Sequence, residues 1–174
     1  MNFKVFTIGH SNHPLQEFLG LLKKYGITLV VDIRSHPYSR YVPHFNRESL
    51  AQCLCREGIG YVFLGECLGG RPREKEYYRA DNKVDYELLR QSPRFREGIE
   101  QVKRLAAQHR LTLLCSEANP SNCHRKLLVG QTLEEEGFEV VHIGEEEKRG
   151  KAAPIPKEGF QTVWKQGELF STTN

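Results

Sequence analysis

The stretch LTLLCSEANPSNCHRKLLV, Leu111 to Val129, decides how the rest of the chain is read. Leu111 to Leu114 is a short run of apolar and β-branched residues, the pattern of a strand. A polar loop follows Cys115, and apolar residues return at Leu127, Leu128 and Val129. That return predicts a helix over Lys126–Glu136, halted by Gly137, because glycine readily takes the left-handed conformation that closes a helix. Strand, loop and helix in this order are the repeating half of a βαβ unit.

The same alternation runs outward in both directions. Val5–Ile8 reads as a first strand, closed by Gly9. Pro14 suits the first turn of a helix, where a missing N–H costs nothing, and Leu15, Phe18, Leu19 and Leu22 repeat at helical spacing as far as Gly26. Leu29–Val31 is a second strand. Asn46 reads as an N-cap, with Phe45 and Leu50 placed to staple a helix that ends near Gly58. Tyr61–Leu64 is a third strand. Ser92-Pro93 opens a helix with Phe95, Ile99, Val102 and Ala106 on one stripe, and Val140–Ile143 is a last strand. Alternation of this kind predicts an α/β fold: a three-layer, Rossmann-like domain whose mostly parallel sheet of about five strands is flanked by helices. One domain over residues 1–144 is expected, with a polar, aromatic insertion at 68–91. A tail over 145–174 follows, from which Phe160, Val163, Trp164 and Phe170 are candidates to dock on the body.

Composition narrows the classes. The 174 residues are 39% apolar and 27% charged, an ordinary globular balance that allows a real core. A net charge of +3 is too small by itself to require a nucleic-acid partner. Cys53, Cys55, Cys67, Cys115 and Cys123 are an odd set, without the even framework of a secreted scaffold. The chain opens without a leader-like segment, and no apolar run approaches the roughly 18 residues of a membrane span. A cytoplasmic protein with reduced thiols and no membrane association is the expectation, with the oligomeric state left open.

Ligands of open parallel sheets bind beyond the carboxyl ends of the strands. The strands end in Gly9-His10-Ser11, Asp32-Ile33-Arg34, Gly65-Glu66, Cys115-Ser116-Glu117 and His142-Ile143-Gly144. Reactive side-chain types recur at strand end after strand end, and that convergence is stronger than any one motif.

Taken together, TIGHS (7–11), VVDIRSHPYS (30–39), LGG (68–70), LLCSEANPSNCHR (113–125) and HIG (142–144) resemble a large bacterial and archaeal family called domain of unknown function 488. The resemblance covers roughly residues 5 to 144. It implies one α/β domain with a shared polar site, and brings no settled activity with it.

Several readings of the opening stretch compete. As a nucleophile, Cys115 sits where a strand gives way to a loop, and Arg125 with the following helix amides would hold an anion and favour the thiolate. This is similar to rhodanese-like and cysteine-phosphatase sites, although nine residues between Cys115 and Arg125 make a longer loop and Glu117 would repel phosphate. A metal would use Cys115, Cys123 and His124, with His10 as the candidate fourth ligand. Seven residues between the cysteines depart from the usual knuckle, and adjacent Cys123 and His124 look ill placed to reach one ion, so no metal is expected. A folded-back loop permits a reversible Cys115–Cys123 disulfide. The plain alternative is two buried thiols acting as small hydrophobes.

Charged groups are harder to explain by burial. Glu117 is expected to pair with Arg34 or Arg125, or to work with Asp32 as a general acid/base couple; Asp32 and Arg34 alone would make a structural ion pair. In GHSNHP, His10, Ser11 and His13 lie on a strand-to-helix turn where Ser11 or Asn12 offers a helix cap or the free amides meet a phosphate, and no standard nucleotide-cofactor loop is present. RSHPYSRYVPHFNR (34–47) and RPREKEYYR (71–79) interleave arginine with Tyr38, Tyr41, Tyr77 and Tyr78, a pattern suited to stacking on bases.

The expected function is thus an enzyme, a hydrolase or transferase, acting on a phosphate-bearing substrate such as a nucleotide or nucleic acid. Asp32, Glu117 and Cys115 are the catalytic candidates. His10, Ser11, Arg34, Cys123, His124 and Arg125 are the substrate-binding candidates, and the cofactor is unknown. The alternatives are a non-catalytic anion or nucleic-acid binding module and a rhodanese- or phosphatase-like thiol enzyme.

Overall fold

The computed structural model describes residues 3–144. The expected tail and its docking aromatics lie outside the described residues. Five strands form one sheet: β1 (Lys4–Gly9), β2 (Leu29–Asp32), β3 (Gly60–Phe63), β4 (Leu111–Cys115) and β5 (Glu139–His142). All pairings are parallel and the order is β3-β2-β4-β1-β5.

Burial on both faces explains the uninterrupted apolar runs. Phe6, Ile8 and Val30 point to one face, where α1 (Leu15–Lys24) contributes Phe18, Leu19 and Leu22, and α2 (Arg47–Arg56) contributes Leu50 and Leu54. Val5, Leu29, Val31, Leu111 and Leu113 point to the other. There they meet Leu68 of α3 (Gly65–Leu68), Leu89 of α4 (Tyr86–Arg90), and Phe95, Ile99 and Val102 of α5 (Pro93–Ala106). Leu128, Val129 and Leu133 complete that layer from a π-helical turn (Arg125–Gly130) and α6 (Gln131–Glu135). The result is helix, sheet, helix. No helix among the described residues is long and apolar enough to cross a membrane.

Several local expectations are corrected. The helix expected over Lys126–Glu136 begins one residue earlier, and its first half is wound as a π-helix before α6 takes over. Asn46 precedes α2 but does not cap it with its side chain. Its Oδ1 accepts from the Ser39 amide at 2.7 Å, which ties down the preceding loop, while Phe45 and Leu50 are fully buried as a staple requires. Neither Ser11 nor Asn12 caps α1, whose cap position is Pro14; Ser11 is spent on the turn itself, at φ 47°. Residues 68–91 are more structured than a polar insertion suggests. Asp85 caps α4 by accepting from the Leu88 amide, Tyr78 bridges Val84, and Leu68 and Leu89 are buried.

The topology places the site. The chain leaves β1 and β2 toward the α1–α2 face, but leaves β4, which lies between them, toward the opposite face. Connections that part to opposite faces of neighbouring strands leave a crevice at the carboxyl ends, the usual ligand position of such sheets. Cys115 is the last residue of β4.

Candidate functional site

Beyond β4 the ladder continues for two residues, with His10 N donating to Cys115 O and Ser11 N to Ser116 O. The loop then folds back. Asn119 Oδ1 accepts from the Ser121 amide, and a single 3-10 turn (Pro120–Asn122) returns the chain so that Cys123 Sγ stands 2.8 Å from Cys115 Sγ. Asn-Pro is a turn-starting pair, and it delivers the second thiol to the first.

His124 closes the cluster. Its Nε2 lies 3.0 Å from the Ile33 carbonyl, which can only accept, so Nε2 carries a proton. Nδ1 faces the sulfurs, 3.6 Å from Cys115 and 3.8 Å from Cys123. The thiol hydrogen bond from Cys123, with smaller help from His124 and the Glu117 amide, outweighs burial and holds the Cys115 thiol well below its ordinary pKa. Donating to Cys115, together with burial, pushes Cys123 up. Burial opposes a charge on His124, but the sulfur of Cys115 more than offsets it and the ring is raised. The directions of these shifts fit a Cys115 thiolate that accepts from the Cys123 thiol and the His124 ring.

A cavity of about 610 Å³ opens over Cys115. Arg34, Arg71, Lys83, Tyr78, Tyr86 and Glu117 line it together with Cys115 and His124. Arg71 and Lys83 leave the wall net positive against Glu117. The loop bearing Arg71 is fixed by its backbone amide, which donates to Ser35 Oγ at 2.9 Å.

Arg34 is held rigidly at the cavity edge. Its Nε and NH2 donate to the two oxygens of Asp32 at 2.9 and 2.7 Å, and Tyr61 Oη donates to Asp32 Oδ2 at 2.5 Å. Burial works against the Arg34 charge, yet the Asp32 carboxylate outweighs it and raises the pKa. Arg34 NH1 also reaches His10 Nε2 at 3.2 Å, while His10 Nδ1–H donates to Ser11 O and the ring stacks on Phe45. Burial lowers the His10 pKa, consistent with the neutral tautomer these contacts require.

Four of the expected site residues line the cavity: Arg34, Glu117, Cys115 and His124. The others do not. Asp32 is fully buried, with its carboxylate bonded to Arg34 and Tyr61. His10 is buried as a strut for Arg34, and Ser11 shapes the turn. Cys123 stands behind Cys115. Arg125 is the largest fully buried side chain, and its NH1 and NH2 donate to the carbonyls of Glu117 and Ala118 at 2.5 and 2.8 Å. The expected pairing of the Glu117 carboxylate with Arg34 or Arg125 is therefore replaced: Arg125 takes the Glu117 backbone, and Arg34 takes Asp32. Of the flagged tyrosines, Tyr78 lines this cavity, Tyr77 lines a neighbouring one, and Tyr38 and Tyr41 are exposed elsewhere. Sequence reasoning missed Lys83 and Tyr86, which the bridge at Tyr78–Val84 and the cap at Asp85 turn toward the crevice.

Gly70 accounts for part of the LGG block. A Cβ there would lie 2.7 Å from His124 Cβ and Cγ, so this backbone rests directly on the imidazole. Gly70→Ala is expected to displace His124 at a cost of about 1–3 kcal/mol. It should also slow alkylation of Cys115 at neutral pH. Wild-type labelling in a folded Gly70→Ala protein would mean that the glycine loop, and not the ring, gives way.

Comparison with known proteins adds one finding. The family model described as "Domain of unknown function DUF488" matches residues 14–131. No curated protein and no solved structure matches the chain.

Proposed function

Since the chain belongs to the family of the domain of unknown function DUF488, a description that brings no activity, we propose from the site alone that it is a cysteine-dependent enzyme. In this reading it is a transferase or hydrolase acting on an anionic, phosphate-bearing substrate such as a nucleotide or a nucleic-acid end. The observation that carries the reading is the position of Cys115: it borders a basic cavity, with its Sγ 3.6 Å from His124 Nδ1 and 2.8 Å from a second thiol.

Cys115 is the nucleophile in this reading. Its sulfur forms a bond to the electrophilic centre as the bond to the leaving oxygen breaks, and His124 Nδ1–H gives that oxygen its proton. Neutral His124 then activates water for release of the product. Arg71 and Lys83 attract the substrate charge, and Tyr78 and Tyr86 offer aromatic faces for a base. Asp32 and His10 act indirectly, by orienting Arg34. Arg125 acts by shaping the loop, so the phosphate-cradle analogy is not carried forward. The five free cysteines support a reducing, cytoplasmic setting.

The first test is labelling. In metal-free protein at neutral pH, iodoacetamide should modify Cys115 at least about tenfold faster than Cys53, whose pKa burial raises. A screen of phosphate esters and nucleotides should then reveal turnover that Cys115→Ser abolishes and Arg71→Ala weakens. Equal, slow labelling of the two thiols would sink the nucleophile. Saturable nucleotide binding with rapid labelling and no turnover would leave a binding module in its place.

A further inference from the structure

The cluster at the end of β4 has the composition and spacing of a metal site as well as of a nucleophile. Sγ of Cys115, Sγ of Cys123 and a ring nitrogen of His124 all lie within 4.8 Å of one another. The sequence spacing argues against this, because adjacent Cys123 and His124 project apart on a regular helix. Here Cys123 is still extended, at φ −111° and ψ 141°, and only His124 begins the helical turn, so the two side chains converge.

Zn–S bonds of about 2.3 Å and Zn–N bonds of about 2.0–2.1 Å at tetrahedral angles require S···N separations of roughly 3.6 Å and an S···S separation of roughly 3.8 Å. The observed S···N distances, 3.6 and 3.8 Å, already meet the requirement. The sulfurs, at 2.8 Å, would have to part by about 1 Å, which Cys115 can supply by turning toward the cavity it lines. A second observation points the same way. The ring of a metal-bound histidine almost always donates its other N–H to a carbonyl or carboxylate, and His124 Nε2 donates to the Ile33 carbonyl. Gly70 packs closely beside Cβ, Cγ and Nδ1 of His124 and limits rotation of the ring. Two thiolates and an imidazole are a soft to borderline donor set, which selects zinc over magnesium or calcium.

We propose that Cys115, Cys123 and His124 form a zinc site with three protein ligands and a fourth position open to the cavity. Binding itself needs only the three donors. Its consequence rests on the reading of Cys115 as the nucleophile: zinc would occupy that sulfur and reversibly silence the enzyme, releasing the Cys123 and any Cys115 thiol proton to solvent as it binds.

The test uses the full chain, stripped of metal and kept reduced, with cobalt(II) as the first probe. One equivalent should produce an intense near-ultraviolet sulfur-to-cobalt band and tetrahedral visible bands, both displaced by one equivalent of zinc. Cys115→Ser, Cys123→Ser and His124→Ala should each remove or strongly weaken the bands, and Cys53→Ser should leave them intact. Wild-type protein provides a check that needs no variant to fold: one equivalent of zinc should slow alkylation of Cys115 at least about tenfold and leave Cys53 unchanged. Absence of a sulfur-to-cobalt band would overturn the site, and so would bands that leave Cys115 unprotected. Cobalt binding as described, in a protein whose metal-free form shows no thiol-dependent turnover, would uphold the zinc site and remove the proposed enzyme activity.

Discussion

Replacing Asp32 with alanine should destabilise the domain by about 3–5 kcal/mol, the usual cost of breaking a buried ion pair from one side. Asp32 is fully buried and Arg34 nearly so, which means that water cannot take over the lost contacts. The substitution leaves the Arg34 guanidinium without its two-pronged partner and the Tyr61 hydroxyl without an acceptor. His10 Nε2 alone cannot neutralise the arginine. Removing both charges should be far milder. Asp32→Leu combined with Arg34→Met keeps the volume and strands no ion, so most of the lost stability should return. The double variant would still lack Arg34 at the cavity edge, and binding of a phosphate-bearing ligand should stay weak although the protein is folded. Urea unfolding of the single and double variants measures the first effect, and nucleotide titration measures the second. A loss below about 1 kcal/mol for Asp32→Ala would mean that the pair behaves as a solvated one.

This ion pair also illustrates how much of the site is legible in the sequence. The strands are legible because burial on both faces writes itself as a run of apolar and β-branched residues, and Leu29–Val31 and Leu111–Leu114 are found within a residue of their observed bounds. Their order is not legible, since placing β4 between β1 and β2 depends on long-range pairing with no local signal. The roles of charged residues follow that order. Asp32 and Arg34, two residues apart and so on the same side of an extended chain, look like an ion pair or two halves of a catalytic set. The choice is made by Tyr61 on the adjacent strand and His10 across the sheet, both remote in sequence. Arg125 misleads for a similar reason. A charged residue at a helix start suggests a ligand, yet here the loop turns two backbone carbonyls inward and needs a buried donor more than the ligand needs a cation. Its partners are eight and seven residues upstream, and although Asn119-Pro120 announces a turn, no residue type announces that the carbonyls of Glu117 and Ala118 face inward. The cysteines reverse the expectation from the other side. Spacing argues against a shared metal ion and leaves the approach of the two thiols open, and the extended backbone at Cys123 after the Asn-Pro turn brings them together.

Gly9→Ala should then be among the most damaging of small changes, although Gly9 has no unusual backbone conformation. It pairs with Cys115 across the β1–β4 ladder. A Cβ there would fall inside the van der Waals surface of both the Glu117 carbonyl oxygen and the Arg125 guanidinium. Neither neighbour can retreat cheaply. The carbonyl is held by Arg125, and Arg125 is sealed beneath the loop with no exposed surface. One methyl group therefore has to separate the loop from its buried anchor, and the penalty should reach about 3 kcal/mol, the upper part of the overpacking range. The displaced loop carries the Glu117 amide that supports the Cys115 thiolate and the turn that delivers Cys123. Folded Gly9→Ala protein should thus lose the selective alkylation of Cys115. Gly20→Ala is the matched control: a Cβ on that exposed side of α1 meets nothing within 4 Å, and alanine should stabilise the helix by about 0.5–1 kcal/mol. Urea midpoints and labelling rates for the two variants separate the cases. A Gly9→Ala protein as stable as wild type, with Cys115 still preferentially labelled, would show that the Glu117–Arg125 contact is not what holds the site.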